Sequence, residues 1–593
     1  MARRPYDLGP WAQTDLPPLV RRIYAARVAQ PRDTLLTWDA LPDFAALQDM
    51  ARGAARLARA VVDQEAIVIA GDYDADGATA TAVVYRALKQ WGGRVDYVVP
   101  LRREEGYGLT TPLAARILKD HPCQLVVTVD NGIASHEGVA HLSAASVDTV
   151  ITDHHLPADG PLPAAYAVIN PRRRDETVSA PHLAGVGVAF GLMVRVRAIL
   201  LNQGYDQRIP AVKRSLTQLL DLVAIGTVAD VVALDRANRL LVEQGLRYLR
   251  AGGGCVGVRA LATRANRPLE TIQAEDLAYA LGPRLNAAGR LTDMRLGIRL
   301  LTTDDPDEAE TIAGALQDIN EARRSRETDM RQEAWARIAE EITATQAEIP
   351  AGLVLGQEGW HEGIVGLVAG RVKDRLYRPV IACAPSLDGA EWKGSARSIP
   401  GVHIRDVLAR IDQQSPGLIT RFGGHAAAAG LTIPRARLAE LQTLFPRAVL
   451  ECAVSPEVFA QTILTDGPLA PEEITLENAQ ALQSAGPWGA GFPPPLFEGD
   501  FEVLTVQPLK EGLHARLTVR APGGKGPIWA AIAFHTAEHL SWTPERGIHR
   551  FLYALTVNTF RQQQTVQLRI EGVPSATAPT PDAGPESQTH PAF

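Results

Sequence analysis

Four short apolar runs, separated by alanine-rich stretches with helical spacing, constrain the fold of this chain more than any other feature. The runs are Ala66–Ala70, Asp96–Val99, Leu125–Val129 and Val147–Ile151. Strands this rich in β-branched residues are typical of a parallel sheet covered by helices on both faces. The pattern predicts a doubly wound α/β domain whose ligands bind at the carboxyl ends of the strands.

Acidic and imidazole side chains follow three of these strands. They are Asp72, Asp74 and Asp76 after the first strand, Asp130 after the third, and His154 and His155 after the fourth; Asp230 follows a later apolar helical run. An isolated aspartate at a strand end is typically a turn or helix-cap residue. A calcium loop at Asp72–Gly77 is excluded, because Val83 stands where that loop needs a bidentate glutamate.

These side chains converge on one edge of one sheet, where several carboxylates repel one another unless cations lie among them. The carboxylates of Asp74, Asp76, Asp130 and Asp230 would balance two divalent ions, and one histidine would add a neutral nitrogen ligand. Carboxylate with imidazole suits manganese or magnesium. Two such ions promote phosphoester hydrolysis. The sequence therefore predicts a two-metal phosphoesterase site.

Further motifs extend this pattern over most of the chain. They are Glu105–Leu109, Asp130–Gly132, Asp153–His155, Leu183–Gly187, Gly282–Arg290 and Gly423–Ala426. Together with Asp72–Gly77 they resemble the RecJ family of single-strand exonucleases, within the DHH phosphoesterase superfamily. The resemblance implies a 5′→3′ exonuclease that degrades single-stranded DNA to mononucleotides in repair and recombination, with two Mn²⁺ or Mg²⁺ ions.

The resemblance also implies roles for individual residues. Asp74 and Asp76 match the paired metal ligands, and Asp72 matches a supporting acid beside them. Asp130 matches the ligand that bridges both ions, and Asp230 matches the last carboxylate. His154 matches the imidazole ligand, and His155 matches the neighbour that faces the substrate phosphate. The implied nucleic-acid and phosphate contacts are Arg102, Arg284, Asn286, Ser395, Arg397, Gly424 and His425. Leu101 stands before Arg102 where the family usually has asparagine.

Composition shifts along the chain and the resemblance together predict six segments. They are an N-terminal helical extension (1–60), a DHH catalytic domain (61–300), a linker helix (301–350), a smaller α/β substrate-binding domain (351–450), an OB-fold-like barrel (451–573) and a disordered tail (574–593). We expect the barrel to be built from five short antiparallel strands. Its aromatic residues fit either the barrel core or a platform on which single-strand bases stack.

The expected partners and the expected cellular compartment rest on sequence features that are absent and on the family resemblance. No stretch approaches the ~20 uninterrupted apolar residues of a membrane helix, so we expect no membrane partner. The four cysteines are far apart and fit reduced thiols in a cytoplasm. The resemblance implies a monomer whose partners are single-stranded DNA, single-strand-binding protein and a helicase.

Two other functions stay open on the sequence. Other DHH enzymes hydrolyse short oligonucleotides, cyclic dinucleotides or pyrophosphate, but they need neither a C-terminal barrel nor an N-terminal extension. A binding subunit that has lost the catalytic site is the other alternative. The presence of every expected ligand argues against it.

Overall fold

The structure is a computed structural model that describes residues 1–101, 104–345, 349–386, 388–510, 512–524, 526–534, 542–561 and 563–574. It divides into two compact units. The larger comprises Leu35–Gln461 and Pro487–Pro493, and the smaller comprises Met1–Thr34, Thr462–Gly486 and the described part of Pro494–Phe593. The predicted tail lies outside the described residues from residue 575 onward.

The helices and strands alternate along most of the chain. In chain order they are β1 (Ala2–Arg3), α1 (Pro18–Ala25), α2 (Met50–Val62), β2 (Ala66–Ala70), α3 (Ala75–Gln90), β3 (Arg94–Val98), α4 (Thr111–Asp120), β4 (Leu125–Val129), α5 (His136–Ala144), β5 (Asp148–Thr152), β6 (Ala167–Ile169), α6 (Gly185–Asn202), α7 (Leu220–Ala229), α8 (Arg236–Arg250), α9 (Val256–Arg264), α10 (Ala274–Asp276), α11 (Gly282–Leu291), α12 (Arg295–Thr302), α13 (Pro306–Thr345), β7 (Leu353–Gly356), α14 (Val365–Leu376), β8 (Val380–Pro385), β9 (Glu391–Arg397), α15 (Ile404–Gln414), β10 (Arg421–Gly424), β11 (Ala428–Pro434), α16 (Leu438–Cys452), β12 (Leu464–Thr465), α17 (Leu476–Ser484), β13 (Phe497–Leu509), β14 (His514–Arg520), β15 (Ile528–Ala533), β16 (Gly547–Phe560) and β17 (Gln563–Gly572).

A five-stranded parallel sheet forms the first half of the larger unit. The strand order is β3-β2-β4-β5-β6, and every neighbouring pair is parallel. The central strand β4 is buried along its whole length, as its unbroken apolar sequence predicts. On one face, Leu113 and Leu142 of the covering helices pack against Val126 and Ile151. The predicted doubly wound α/β fold is thus confirmed.

Helices α6 to α12 complete this half of the unit. One described helix, α6, is long and apolar enough to cross a membrane by length and composition, but 61% of it is buried inside the protein. It packs against α2, α3 and α7. In this structure it is a core helix of the α/β domain.

The predicted linker is a single helix of 40 residues, α13. One face of this charged helix is buried. Met330, Ala334 and Ile338 pack against Leu353 and Val368 in the core of the second α/β domain. The apolar residues recur at helical spacing between the charged ones, so one stripe of the helix can enter a core while the other faces carry charge.

The second sheet of the larger unit is mixed. Its order is β10-β11-β9-β8-β7, and β7 and β8 form its one parallel pair. It therefore differs from the purely parallel catalytic sheet, although helices cover it as well.

The smaller unit contains a closed barrel in the order β13-β14-β15-β17-β16. The expectation of short antiparallel strands was wrong in two respects: β16 has 14 residues, and β15 pairs with β17 in parallel. The parallel pair closes the barrel because the last strand returns beside the third. Trp529, Phe551 and Tyr553 are buried, whereas Phe534 and Phe560 are exposed.

The N-terminal residues divide between the two units. Strand β1 pairs with β12, and α1 packs on α17, so residues 1–34 belong to the barrel unit. Helix α2 instead packs on α6 and β6 of the catalytic domain. The sequence predicts one helical extension over 1–60, whereas the structure places its halves in different units. The other predicted domain boundaries stay predictions.

Candidate metal centre

Three carboxylates follow β2, two on the turn before α3 and one, Asp76, in the first turn of α3. Asp74 caps α3, because its Oδ1 accepts a hydrogen bond from the Gly77 amide at 3.0 Å. The Asp76 carboxylate is buried and accepts the backbone amides of Gly185 and Val186, at the start of α6, at 2.7 and 2.9 Å. Asp72 Oδ1 accepts the Tyr73 amide at 2.7 Å. The cap interpretation is therefore correct for Asp74, and the cap occupies only one of its oxygens.

Asp130 follows β4 in a left-handed backbone conformation, with φ of 62°. It is only 1% exposed. The next residue fixes this turn, because Asn131 Nδ2 donates to the carbonyls of Ala70 and Val129 at 3.0 and 2.9 Å. These bonds join the ends of the two central strands and place Asp130 beside the first group of carboxylates.

His154, after β5, brings the remaining predicted ligands together. Its Nε2 lies 3.1 Å from Asp130 Oδ1, 3.6 Å from Asp230 Oδ2 and 3.9 Å from Asp76 Oδ2. Asp230 reaches this point because it ends α7. Side chains that are up to 156 residues apart in the chain, between Asp74 and Asp230, thus share one sheet edge.

The donor atoms fit divalent metal ions. Asp130 Oδ1 and His154 Nε2 are buried, and neither has a hydrogen-bond partner within the described chain. Three sets of atoms, each within 4.8 Å of one another, could hold an ion: Asp130, His154 and His155; Asp76, His154 and Asp230; and Asp72, Asp74 and Asp130. Buried unpaired polar atoms are costly, and a bound cation would remove that cost. Asp130 and His154 each belong to two sets, as a shared ligand would.

Burial and mutual repulsion perturb the pKa values of these carboxyls. Burial, then the charge of Asp74, raises the pKa of Asp76 to about 7. Burial, then the charge of Asp76, raises the pKa of Asp230 to about 9, and the same causes raise the pKa of Asp130 well above its usual value. A cation among them would reverse this trend.

We expect the affinity for Mn²⁺ to increase as the pH rises from 6 to 8. A raised carboxyl pKa means that the metal-free site holds protons, which the ion must displace, so a higher pH favours binding. Isothermal titration in buffers of different ionisation enthalpy measures the protons released per ion. Glu362→Gln, which removes a carboxylate outside the predicted ligands, is the control. Binding without proton release would contradict this interpretation.

Asp153 orients His155, which was predicted to face the substrate phosphate. Its Oδ1 lies 2.7 Å from His155 Nδ1, and its Oδ2 accepts the Ile133 amide at 2.8 Å. Burial alone would lower the pKa of His155, but the hydrogen bond and charge of Asp153 raise it to about 9. Asp153 therefore favours the protonated form of His155 when no ion is bound there, and that form suits contact with a phosphate oxygen.

Tyr107 is a neighbour that the sequence-based site prediction did not include. Its hydroxyl donates to the Asp130 carbonyl at 3.3 Å and lies 3.4 Å from His155 Nε2. Its ring contacts Tyr73 edge-on, with centroids 5.9 Å apart. The Glu105–Leu109 motif was the signal that could have identified it. Asp153 was likewise visible only as part of its motif.

Helix α11 contacts the backbone of the turn that carries Asp72 and Asp74. Asn286 Oδ1 accepts the Ala75 amide at 2.8 Å. One turn later, a Cβ on Gly289 would lie 1.8 Å from the Tyr73 carbonyl oxygen, so the backbones touch. Asn286 thus holds the turn that carries Asp74, and its predicted phosphate contact stays a prediction.

Of the two arginines predicted to contact phosphate, the structure describes one. Arg284 is buried, and it donates to Gln317 Oε1 at 2.7 Å and to the Ala280 carbonyl at 2.6 Å. These bonds give Arg284 a structural role, and its predicted phosphate contact stays a prediction. Arg102 lies outside the described residues.

The second sheet places the other predicted phosphate contacts together in pairs. Arg397 Nη1 donates to Ser395 Oγ at 2.9 Å on β9. Both face the first turn of α14, where a Cβ on Gly366 would lie 2.8 Å from Arg397 Nη2 and 2.9 Å from Ser395 Oγ. A serine, an arginine and a helix N-terminus are a chemically suitable set for a phosphate.

Gly424 and His425 lie at the end of β10. Gly424 has φ of 145°, and a Cβ there would lie 2.4 Å from the Ala428 carbonyl, so only glycine fits. Burial, then the charge of His155, lowers the pKa of His425. His425 is thus close enough to the catalytic domain to respond to its imidazolium.

This fold and this site define a metal-dependent phosphoesterase of the DHH class. The parallel sheet carries the clustered ligands, and the second α/β domain carries the candidate phosphate contacts. The description "DHH family, N-terminal domain" matches residues 66–227, "DHHA1 domain" matches 347–451 and "RecJ OB domain" matches 465–572.

Full-length relatives specify the family further. The chain is 43% identical to the single-stranded-DNA-specific exonuclease RecJ of Escherichia coli over 97% of its length and 98% of that protein. It is 32% identical to RecJ of Thermus thermophilus over 88% of its length and 73% of that protein. The structure of Thermus RecJ in complex with Mn²⁺ matches with a TM-score of 0.77, 26% identity and coverage of 98% of this chain and 79% of that one. The chain belongs to the RecJ family.

Proposed function

We propose that this protein is a metal-dependent 5′→3′ exonuclease that degrades single-stranded DNA to mononucleotides in DNA repair and recombination. One observation carries the chemistry: buried Asp130 Oδ1 and His154 Nε2 face each other without hydrogen-bond partners among the described residues, inside a ring of carboxylates. The relatives are named as single-stranded-DNA-specific exonucleases, and solved RecJ structures contain Mn²⁺ or Mg²⁺. We therefore propose Mn²⁺ or Mg²⁺ as the cofactor, with two ions per site.

Some residues of the site would bind the metal ions, and others would contact the substrate phosphate. Asp74, Asp76, Asp130, His154 and Asp230 would hold the ions, with Asp72 beside them. When bound, divalent ions supply Lewis acidity for phosphodiester hydrolysis. His155, kept protonated by Asp153, would neutralise charge on the phosphate oxygens.

The second α/β domain would bind the strand. Ser395 and Arg397 would donate hydrogen bonds to a phosphate, while Gly424 and His425 would contact the backbone from β10. These contacts carry no base information, so we expect little sequence preference.

The decisive experiment follows purified protein with Mn²⁺ and an internally labelled single strand of a few dozen nucleotides. One substrate carries a block at the 3′ end and the other at the 5′ end, and a blunt duplex of the same sequence is the control. We expect the 3′-blocked strand to be digested to mononucleotides and the other two to survive. Digestion from the 3′ end would overturn the polarity, and cleavage of dinucleotides alone would favour the short-oligonucleotide alternative.

Replacing Arg397 by alanine is expected to raise KM for a 5′-phosphorylated strand by about 10- to 100-fold, with a smaller change in kcat. A charged hydrogen-bond donor to phosphate contributes ~1.5–3 kcal/mol, which corresponds to this range. Steady-state kinetics on strands with and without a 5′ phosphate check the result. Arg410→Ala removes an exposed arginine from the same domain, where Arg410 pairs with Glu451 at 2.7 Å, and serves as the control. Equal effects of both variants would refute the contact.

We also propose a cytoplasmic monomer that works with single-strand-binding protein and a helicase. The support is the family resemblance, together with four cysteines that are all free in the structure. Sedimentation of the purified protein tests the monomer. Its migration with and without the purified partners tests the two interactions.

A further inference from the structure

A cavity of about 610 Å³ opens in the larger unit, remote from the carboxylate cluster. Residues near the end of α3, at the start of α7 and in the loop after α8 line it. Helix α3 has 16 residues and spans ~24 Å, and Asp74 caps its opposite end. Asp230 likewise lies at the opposite end of α7 from the cavity. The cavity is therefore distinct from the carboxylate cluster.

The cavity wall carries unpaired positive charge. Lys89 and Arg214 line it, and within the part of the chain that the structure describes neither forms an ion pair with a carboxylate. The acidic residue of the wall, Asp304, is paired with Arg86 at 2.9 Å. Arg86 also donates to the carbonyls of Leu301 and Thr303, so it is occupied by the protein itself. Lys89 Nζ lies over the Tyr85 ring, 5.5 Å from its centroid, so the two cations without a carboxylate partner are Lys89, against that ring, and Arg214.

The rest of the wall is aromatic and neutral polar. Tyr85 and Tyr248 contribute rings. The amides of Gln90 and Gln218 already have protein partners, because Gln218 Nε2 donates to Gln90 Oε1 and Gln90 Nε2 donates to the Ala211 carbonyl at 3.2 Å. The Tyr248 ring lies where a Cβ on Gly253 would approach within 2.4 Å, so glycine leaves room for the ring. The thiol of Cys255 adds no negative charge, because burial raises its pKa to about 12.

We propose that this cavity binds a nucleotide-sized phosphate monoester. Lys89 and Arg214 would contact the phosphate, and the tyrosine rings would contact the base. The volume lies within the ~300–1,000 Å³ typical of small-molecule sites. The proposed nuclease reaction releases molecules of this class, but the binding argument does not depend on that reaction.

The test is isothermal titration of the full-length protein with dAMP, inorganic phosphate and deoxyadenosine, in a chelator that keeps the carboxylate cluster free of metal. The Lys89→Ala/Arg214→Ala variant removes both cavity cations. The matched control, Lys119→Ala/Arg59→Ala, removes two exposed cations from α4 and α2. Thermal melting of each variant verifies that it is folded.

We expect one dAMP per chain, at least tenfold weaker binding in the cavity variant, and no change in the control. Tighter binding of dAMP than of inorganic phosphate or deoxyadenosine would support contacts to both parts of the ligand. Absence of dAMP binding, or equal weakening in both variants, would overturn the proposal. Equal affinity for dAMP and inorganic phosphate would overturn recognition of the base. None of these outcomes depends on DNA cleavage, so the proposed function is tested separately.

Discussion

Replacing Asp130 by asparagine is expected to lower the rate of single-strand cleavage by at least ~10³-fold while the protein stays folded. Asp130 belongs to two of the three possible ion-binding sets, so its loss weakens both ions at once. Asparagine is preferred to alanine for this test because it tolerates the left-handed backbone at φ 62°. It also removes one of several mutually repelling charges.

Single-turnover cleavage and Mn²⁺ titration measure the two effects of Asp130→Asn. The matched control is Asp96→Asn, which removes an exposed carboxylate from β3 of the same sheet. We expect normal cleavage in the control. Near-normal cleavage by Asp130→Asn at saturating Mn²⁺ would refute the assignment of the metal centre.

Replacing Gly185 by alanine is expected to lower cleavage by about 100-fold or more, although no functional group is removed. A Cβ at this residue would lie 2.5 Å from Asp130 Oδ1, and the Gly185 amide donates to Asp76 Oδ2 at 2.7 Å. The added methyl group must therefore displace Asp130, the start of α6, or both. A displacement of about 1 Å in a catalytic group can cost ~10²-fold in rate.

The control for this prediction is Gly370→Ala in α14, where a Cβ would meet nothing within 4 Å. That variant should keep full activity and gain up to ~1 kcal/mol in the free energy of unfolding, because alanine favours helix. Gly185→Ala should instead melt at a lower temperature and bind Mn²⁺ more weakly. Unchanged Mn²⁺ affinity in Gly185→Ala would show that the pocket accommodates the methyl group.

Local patterns in the sequence were sufficient to predict four of the five strands of the catalytic sheet, and the short edge strand β6 was missed. Strands β2 and β4 begin and end at the predicted residues because uninterrupted β-branched runs have one stable environment, the buried centre of a parallel sheet. The same logic placed Asp130 and His154 at one sheet edge, since neighbouring parallel strands end side by side. Their assignment as ligands stays a prediction.

Other features depended on contacts between distant parts of the chain, which no local pattern encodes. Asn286 was interpreted as a phosphate contact, and only the folded chain shows that its Oδ1 accepts the Ala75 amide, 211 residues away. Arg284 was interpreted in the same way, and only packing shows that its guanidinium donates to Gln317 of α13. A side chain's type shows which bonds it can make, and only packing decides which partner it meets.

The sequence by itself determined the parallel α/β fold, the set of acidic and imidazole residues, and the resemblance to RecJ, because these depend on residue type and short spacing. The tertiary structure decided which residues support that set: Asp153 behind His155, the α6 amides on Asp76, and Gly289 against Tyr73. It also placed residues 1–34 beside the barrel and buried one face of α13. Most of these contacts join two segments that are far apart in the chain. Neither segment's sequence shows which other segment it will pack against.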